Sequence, residues 1–575
     1  MSGEVAVGGR SHLVGNRWIG LGLGVLTFLI LLSTASGYGL TYDEPVYMSR
    51  SMRAGQWLSL LIHEPGTALS RGTIDRLWDP TGDEQAGLMK LIAWPAASVA
   101  SAFVGPLAAI RAGTILIVSL LIGCMFVFVA NLWGRLEGLF AALGLLAMPN
   151  VFTHCHLMAL DAPVMAWSAL AIMAAYVAAL HGEQDRKRCW LWIALMGLAF
   201  GAAIATKVNG WFVPLIVLPW LFMFRRRAFW AGLVSMAVLG PLVFIASWPW
   251  LWFDTLGRLA RYFSFFGKHY PVGVTYFGHV YSVAPWHFPL VMLLITTPII
   301  LLLFSGVGIS RLYCRAGACT PPARDAKADG GVQAPAPQSD VSSRNWQRAA
   351  IALMTWAAFV NILPNSLPSS PKYNGVRLFL PIFVPLVILA AAGFGWLARA
   401  LAARLASSAR EMRLVLGLLL VLALAPGLYA TAKTYPFGMS YYNSLLGGTK
   451  GAVARGMEAT YWGDTFLAAA PWLNEKAAPG AEVWINVVGY VSTMQMYQQF
   501  GLLRQDLKIT GGDEAFRHAD YCVVINKSTE YGRLGQELVQ RGKVLYTQDL
   551  DSVPLVWVFA GERGQVRGGW GLPSP

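Results

Sequence analysis

Long apolar segments separated by short polar clusters dominate this chain. A helix rises about 1.5 Å per residue, so about 20 apolar residues cross the hydrocarbon core of a bilayer. Twelve segments are candidates for such spans: 18–36, 87–104, 107–131, 138–153, 159–180, 190–206, 209–224, 229–247, 287–307, 347–363, 376–396 and 412–431. The pattern predicts a polytopic α-helical membrane protein.

The segment 87–104 is the weakest of these candidates. It is broken by Trp94-Pro95 and contains Lys90 near its start. If it does not cross, the basic clusters of the chain all fall on one side, as cytoplasmic loops require. We therefore predict eleven spans, with 87–104 lying in or dipping into the outer interface. The clusters are Arg10 and Arg17, Arg135, Arg186-Lys187-Arg188, Arg225-Arg226-Arg227, the 308–348 loop, and Arg399, Arg404, Arg410 and Arg413.

This topology divides the chain into regions. Residues 1–17 are predicted to be a cytoplasmic N-terminus, and residues 18–431 a membrane domain whose first outer loop is 37–106. The loop 308–346, rich in proline, glycine and alanine, is predicted to be cytoplasmic and disordered. The length of the first apolar segment favours an uncleaved anchor over a signal peptide. We expect an integral membrane protein.

After residue 432 the composition becomes that of a soluble domain. Helical patterns alternate with short runs of β-branched and aromatic residues, which predicts a small extracytoplasmic α/β domain over 432–575. No Gly-x-Gly-x-x-Gly fingerprint or nucleotide loop occurs there. The predicted helices are 463–475, 491–500 and 530–541, and the predicted strands are 481–488, 521–526 and 555–559.

Composition supports the membrane class and excludes others. Charged residues make up only 13% of the chain, against about 25% in soluble domains. The net charge of +14 comes from clusters between apolar runs, so no nucleic-acid partner is predicted, whereas membrane lipid is. The six cysteines form neither a disulfide framework nor a metal spacing.

An acidic pair stands at the outer end of the first span, in Thr41-Tyr42-Asp43-Glu44-Pro45. Carboxylates beside hydrocarbon are costly unless water, a cation or a substrate uses them. The simpler interpretation is that both side chains are solvated and merely end the helix.

Other polar residues are predicted to share that outer face. Two separate acids with several cations suit an anionic, lipid-linked substrate: a phosphate held by Lys or Arg leaves with its charge stabilised, and a carboxylate takes the proton of an attacking hydroxyl. The residues are Asp43, Glu44, Lys90, Arg111, His154, His156, Asp161, Lys207, Asn209, His269, His279, Lys372, Tyr373 and Arg377.

Several of these residues have a structural alternative. Asp161, followed by Ala162-Pro163, is also a plausible helix N-cap. Lys207 is also explained by snorkelling from a helix end, and Arg377 by anchoring at the interface. His154 and His156 alternate without a third adjacent ligand, so no metal site is predicted.

The order of these motifs resembles the GT-C class of membrane glycosyltransferases, and most of all the protein O-mannosyltransferases with their bacterial relatives, the lipid A aminoarabinose transferases. The resemblance runs over residues 18–431 and departs at Gln85-Ala86-Gly87-Leu88-Met89-Lys90, where relatives carry His-Pro-Pro-Leu-x-Lys. The matching stretches are Tyr42-Asp43-Glu44-Pro45, Leu160-Asp161-Ala162-Pro163, Thr206-Lys207-Val208-Asn209-Gly210, Lys372-Tyr373-Asn374-Gly375-Val376-Arg377 and Thr460-Tyr461-Trp462-Gly463-Asp464.

The resemblance implies an inverting transferase that moves a sugar, mannose or another, from a polyprenyl-phosphate donor to an acceptor on the outer face. Asp43 is the expected general base, and Glu44 and Asp161 are expected to orient the acceptor or tune Asp43. No metal or other cofactor is required, because cationic side chains neutralise the phosphate. The acceptor stays open among protein, lipid and glycan. Donor-phosphate candidates are Lys90, Lys207, Lys372 and Arg377, and pocket candidates are Tyr42, His156, Asn209 and Tyr373.

Two other functions fit a chain with this many spans. A transporter or flippase of lipid-linked or anionic substrates has a similar composition, but is expected to show internal repeats and broken mid-membrane helices. A receptor or scaffold built on the C-terminal domain does not need Asp43. The sequence shows no half-to-half repeat, and its charged residues gather at one predicted surface.

Overall fold

The computed structural model describes residues 10–81, 85–182, 185–267, 272–313 and 338–563. Within these ranges, eight helices are long and apolar enough to cross a membrane. A ninth span is formed if Phe288–Thr296 and Ile299–Ser310, which meet at 115°, are taken together. The predicted polytopic helical fold is confirmed. The eight helices are Val14–Gly37, Ala112–Leu132, Asp161–His181, Arg186–Ile204, Arg226–Ala246, Arg344–Ser366, Arg377–Leu405 and Ala409–Thr434.

Eight or nine spans are fewer than the eleven expected. The segment predicted over 138–153 is divided into Arg135–Leu146 and Pro149–His154, since Pro149 begins a new helix after an extended Met148. The segment predicted over 209–224 has a 3-10 turn, Val208–Phe212, before its helix. Arg135–Leu146 has 12 residues and is only about 18 Å long. Val208–Phe224, which includes the 3-10 turn, also belongs to the shorter apolar helices of the described structure.

The first loop, 37–106, is largely helical. Leu88–Ala100, within the weakest apolar segment, has 13 residues and an interior proline, so at about 20 Å it is too short to span. This length agrees with its exclusion from the predicted spans. The other helices of the loop are Glu44–His63, Pro65–Ala68 and Arg71–Trp78, with Pro106–Ala109 at its end.

The loop 308–346 falls mostly outside the described residues, as do Cys314 and Cys319. Its described ends are helical, in Ile299–Ser310 and Gln338–Ser366. The prediction of disorder is therefore wrong for residues 338–346.

Burial separates central from peripheral helices. The apolar window of Arg377–Leu405 is 94% buried, whereas those of Val14–Gly37 and Ala409–Thr434 are 22% buried. Since water is absent from hydrocarbon, apolar side chains on outer helices stay exposed to lipid at no cost. The site described below lies at one end of the central helix.

A small hairpin precedes the C-terminal region, with strand β1 over Val274–Tyr276 pairing antiparallel with β2 over His279–Tyr281. Short turns and helices then follow the last long helix: Gly438–Ser440, Ser444–Leu446 and Gly448–Ala454. The remaining outer-loop elements are Pro249–Trp252 and Thr255–Gly267.

The C-terminal region is an α/β domain, as predicted. Five strands form one sheet, in the order β4 (Lys508–Gly511), β3 (Glu482–Ile485), β5 (Tyr521–Ile525), β7 (Val553–Ala560) and β6 (Val544–Leu550). Strands β4, β3 and β5 are parallel, while β7 is antiparallel to both β5 and β6. Strands β4 and β6 were not anticipated, because both are short or half-exposed and carry polar residues. The strands are β3 Glu482–Ile485, β4 Lys508–Gly511, β5 Tyr521–Ile525, β6 Val544–Leu550 and β7 Val553–Ala560, and the helices are Asp464–Ala469, Ala470–Lys476, Val488–Tyr490, Val491–Gln499, Asp513–Phe516, Ser528–Glu530 and Gly532–Arg541.

The α/β domain packs directly against the first loop. The Tyr497 hydroxyl accepts a hydrogen bond from the backbone N–H of Leu40 at 2.7 Å. The backbone N–H of Tyr42 donates to the carbonyl of Trp462 at 2.8 Å. Apolar side chains of the domain share one buried cluster with Leu40 and Met48. These contacts fix the position of Asp43, which follows Tyr42.

Candidate active site

Four charged side chains from distant parts of the chain form one ion-pair network, hereafter the Asp43 cluster: Asp43, Asp161, Lys207 and Arg377. Nε of Arg377 donates to Oδ2 of Asp161 at 3.2 Å, and its Nη2 donates to Oδ2 of Asp43. Nζ of Lys207 donates to Oδ1 of Asp161. Two carboxylates thus neutralise two cations, and Arg377 bridges the acids.

Burial differs sharply within the cluster. The side chain of Asp43 is 25% exposed, against 2% for Asp161 and 9% each for Lys207 and Arg377. Among the described residues, Oδ1 of Asp43 and Nη1 of Arg377 have no hydrogen-bond partner. One carboxylate oxygen and one guanidinium edge are therefore left for a ligand.

Local structure explains how Arg377 reaches this place. It begins the turn Arg377–Ile382, directly before the central helix. The turn before it has Asn374 at φ 53° and Gly375 at φ 62°. A Cβ atom on Gly375 would lie 2.5 Å from the ring of Tyr461, so only glycine allows both the positive φ and the close approach.

Asn209 links the backbone segments that carry Lys207 and Arg377. Its Nδ2 donates to the carbonyl of Leu378 at 2.7 Å, which ties the turn after Lys207 to the segment after Arg377. Asn209 was predicted to line the pocket; the structure shows it fixing the spacing between the two cations of the cluster.

Trp462, from the start of the α/β domain, covers the cluster. The guanidinium carbon of Arg377 lies 3.7 Å from the centroid of the Trp462 ring, within the range of a cation–π contact. The sequence resemblance included the Thr460–Asp464 stretch, but nothing in it identified Trp462 as a neighbour of Arg377. Only the fold brings the two together.

Burial sets the protonation of residues around the cluster. It lowers the pKa of Lys207, and the adjacent Asp161 carboxylate partly offsets this effect. Burial also lowers the pKa of His154 to about 4, although Asp161 acts in the opposite direction. His154 is therefore a neutral imidazole, and both of its ring nitrogens are buried without a hydrogen-bond partner in the described structure.

Glu44, which was predicted to orient the acceptor or to tune Asp43, does not join the cluster. Its side chain is completely buried and accepts hydrogen bonds from Nε and Nη2 of Arg111 at 2.8 and 2.9 Å. Backbone N–H groups of Thr41 and Met158 also donate to it, both at 2.8 Å. Neither oxygen of Glu44 is accessible to a substrate.

Arg111 is fully satisfied in the same way. Besides Glu44, it donates to the backbone carbonyls of Ala35, Tyr38 and Gly39 at 2.7 to 2.8 Å. The Glu44–Arg111 pair therefore fastens the end of the first helix to the loop that carries Asp43.

A third acid lies close to this pair. Burial raises the pKa of Asp464 to about 8, with the nearby Glu44 carboxylate adding to the shift and Arg111 opposing it. Asp464 is thus largely protonated at neutral pH.

Two other lysines predicted to bind phosphate are held by backbone carbonyls. Nζ of Lys372 donates to the carbonyls of Leu367 and Ser370 at 2.7 and 2.8 Å. Nζ of Lys90 donates to the carbonyl of Gln85 at 2.8 Å. Lys207 and Arg377 contact the two acids of the Asp43 cluster.

The remaining pocket candidates are placed differently from one another. Tyr42 is 46% exposed beside Asp43, and its ring meets Tyr490 edge-on. Tyr373 is half-buried before Arg377. His156, by contrast, is fully buried and bonded to the Thr34 hydroxyl and the Phe152 carbonyl, so its assignment to the pocket is wrong.

No group of three or more His, Cys, Asp or Glu side chains is arranged to hold a metal ion in the part of the chain that the structure describes.

Residues 90–253 match the profile of a family described as "Dolichyl-phosphate-mannose-protein mannosyltransferase". This match confirms, for that segment, the predicted resemblance to membrane glycosyltransferases of the O-mannosyltransferase type. The segment contains Lys90, Asp161 and Lys207, whereas Asp43 and Arg377 lie outside it. No curated protein matches the chain in sequence.

Three solved structures show a distant likeness. ArnT from Cupriavidus metallidurans in the apo state is 15% identical, with 95% of this chain and 98% of that chain covered and a TM-score of 0.48. The same protein bound to undecaprenyl phosphate gives equal identity and coverage and a TM-score of 0.47. The Archaeoglobus fulgidus oligosaccharyltransferase in the apo form is 12% identical, with 88% and 69% covered and a TM-score of 0.47. These likenesses are too distant to carry an argument about function.

Proposed function

We propose that this protein transfers a sugar from a polyprenyl-phosphate donor to the hydroxyl of an acceptor, on the outer face of a bacterial inner membrane. One observation carries the proposal: a partly exposed carboxylate, Asp43, lies beside the Arg377 guanidinium, whose Nη1 has no hydrogen-bond partner among the described residues, in an otherwise buried cluster. A base and an anion site thus lie next to each other at a helix end.

The matched family profile supports the donor class. Its description names a mannosyl donor linked to dolichyl phosphate, which is a polyprenyl phosphate. Apolar helices around the site suit the lipid part of such a donor. The predicted charge topology supports the outer side, because it puts the basic clusters on the opposite face.

The reaction follows from the positions of the two groups. The acceptor oxygen attacks the anomeric carbon of the donor sugar, and its proton passes to Oδ1 of Asp43. The bond between that carbon and the phosphate oxygen breaks, and the electron pair leaves with the polyprenyl phosphate. Arg377 and Lys207 stabilise the departing charge, since hydrogen bonds to ionised phosphate are strong where water is excluded. Direct displacement inverts the anomeric centre.

The acids divide their roles in this proposal. Asp43 touches the reacting hydroxyl, because it is the exposed carboxylate of the cluster. Asp161 holds Lys207 and Arg377 in position, and its burial keeps it from the acceptor. No metal is required for this charge balance, because the two cations neutralise the phosphate.

The test is release of polyprenyl phosphate from purified protein. The protein in detergent is incubated with undecaprenyl-phosphate and dolichyl-phosphate sugars and a membrane extract that supplies acceptors. Asp43→Asn is expected to lower the rate by about 10²- to 10⁴-fold, the usual contribution of a general base. Thermal unfolding checks that the variant is folded.

Asp75→Asn is the matched control. Asp75 lies in the same loop, is partly exposed and pairs with Arg258 at 2.6 Å, but is not part of the cluster. Its loss is expected to leave the rate unchanged. Undiminished release by folded Asp43→Asn would overturn the proposed mechanism, and inactivity of the wild-type protein with every donor would overturn the donor class.

A further inference from the structure

Trp462 makes two separate contacts, one with the cluster and one with the residue before Asp43. Its ring lies on the guanidinium of Arg377, 3.7 Å from the guanidinium carbon. Its backbone carbonyl accepts the N–H of Tyr42, the residue before Asp43, at 2.8 Å. One residue of the α/β domain therefore touches both the proposed base segment and the proposed phosphate ligand.

The backbone of Trp462 is in an unusual conformation. Its φ is 71°, and that of the following Gly463 is 85°. A bulky residue with positive φ is rare and persists only where its surroundings determine it, often at functional sites. Gly463 allows the turn, because a Cβ atom there would lie 2.1 Å from the ring of Tyr490. The turn directs the large ring to the cluster, where it is 2% exposed.

The stacking geometry suits an anion-binding arginine. A guanidinium donates all its hydrogen bonds in its own plane. A ring that covers its face therefore removes water without competing for the edge that contacts Asp43 and Asp161.

We propose that Trp462 is a positioning residue, through which the α/β domain sets the distance and orientation between Asp43 and the Arg377 guanidinium. This inference rests on the proposed function for its catalytic meaning, but not for its geometry. It makes the α/β domain a required part of the site, where a separate appended module would leave the site intact.

Three variants separate the contacts. Trp462→Phe keeps an aromatic face and loses the indole N–H, which is buried without a partner in the described structure. Trp462→Leu keeps apolar bulk and loses the face. Trp472→Leu is the matched control, since Trp472 belongs to the same domain and packs on Tyr521 and Tyr546, away from the cluster.

The first readout needs no substrate. Phenylglyoxal modifies accessible arginines, and peptide mapping by mass spectrometry gives the rate at Arg377. We expect Trp462→Leu to raise this rate about tenfold over wild type, in line with the strength of a desolvated cation–π contact. Trp462→Phe and Trp472→Leu are expected to match wild type. Equal rates in Trp462→Leu and wild type would overturn the proposal, provided thermal unfolding shows the variant folded.

If Trp462→Leu is unfolded, the comparison of Trp462→Phe with Trp462→Tyr replaces it. Both keep the face, so modification of Arg377 must stay slow in each, and fast modification in either folded variant would overturn the role of the face.

The second readout is affinity for undecaprenyl phosphate. Trp462→Leu is expected to weaken binding about tenfold in the wild-type background and not at all in Arg377→Met, because Trp462 acts through that residue. An equal loss in both backgrounds would show a merely structural role. If wild type binds no undecaprenyl phosphate while the modification rates follow the prediction, the positioning role stands and the proposed function fails.

Discussion

Asp43 and Glu44 are neighbours in sequence with the same chemical group, yet they belong to different networks. Glu44 is completely buried, and its oxygens take hydrogen bonds from Arg111 and two backbone N–H groups. Asp43 is 25% exposed, and within the described part of the chain only its Oδ2 is hydrogen-bonded, to Arg377. Both oxygens of Glu44 are therefore paired inside the protein, and we call the Glu44–Arg111 contacts the closed network. The Asp43 cluster keeps one oxygen that a ligand can reach, and we call it the open network.

This difference in hydrogen bonding distinguishes a structural ion pair from a ligand-binding one better than charge or burial does. A buried ion pair whose hydrogen bonds are all made can only hold the fold, because any ligand would have to break it. A cluster with an unpaired guanidinium edge and a free carboxylate oxygen can bind a ligand without losing its own contacts. The same comparison distinguishes Lys207 from Lys372, whose ammonium group is held by two carbonyls.

The largest expected effect tests the closed network. Arg111→Met leaves Glu44 as a buried, unpaired charge, and we expect a loss of about 3–5 kcal/mol in the free energy of unfolding. Arg377→Met is expected to cost less, because Asp161 keeps Lys207 and Asp43 is reached by water. Thermal unfolding in detergent, with yield after purification, measures both. Equal destabilisation would remove the distinction between the networks.

A middle effect tests the open network. Lys207→Met is expected to weaken binding of undecaprenyl phosphate about tenfold, the value of one charge-assisted hydrogen bond. Lys372→Met serves as the control, since it removes another buried lysine, whose ammonium group donates to loop carbonyls. The affinity of Lys372→Met for undecaprenyl phosphate is expected to match that of wild type. A larger loss of affinity in Lys372→Met than in Lys207→Met would contradict the assignment of the phosphate site to Lys207.

A pH-dependent effect concerns Asp464, the acid beside the closed network. Burial raises the pKa of Asp464 to about 8 in the folded protein, from 3.8. The folded state therefore holds a proton that the unfolded state releases between pH 4 and 8, so this residue makes stability fall as pH rises through that window. Asp464→Asn mimics the protonated form. As the pH rises through this window, its free energy of unfolding is expected to increase relative to that of wild type by about 1.4 kcal/mol for each pH unit.

Unfolding of Asp464→Asn and wild type at several pH values measures that difference. The exposed Glu475 gives the control: Glu475→Gln is expected to run parallel to wild type. A difference between Asp464→Asn and wild type that does not change with pH would show that Asp464 is ionised in the folded protein.

The local pattern of apolar and polar residues was enough to predict much of the fold. Apolar segments located the long helices, and short runs of β-branched and aromatic residues located strands β3, β5 and β7. The described structure has fewer long helices than the eleven predicted spans, because 138–153 is divided at Pro149 and 209–224 begins with a 3-10 turn. It also missed β4 and β6, since strands with polar, half-exposed residues lack a clear hydrophobic period.

The candidate site was predictable in part. Asp43, Asp161, Lys207 and Arg377 were named from their residue types and from a resemblance, and the structure brings them together. His156 was named on the same grounds and turned out to be a buried partner of Thr34 and Phe152. Residue type cannot show which hydrogen-bonding groups are already paired.

The sequence by itself determined that this is a polytopic membrane protein with an α/β domain after its last long helix, because hydrophobic length and period act locally. It also determined which acids and cations were available. Only the tertiary structure decided between Asp43 and Glu44. Successive residues at a helix start point about 100° apart, so one carboxylate meets Arg111 in the interior and the other meets Arg377 under Trp462. Asp43 and Arg377 are 334 positions apart in the chain.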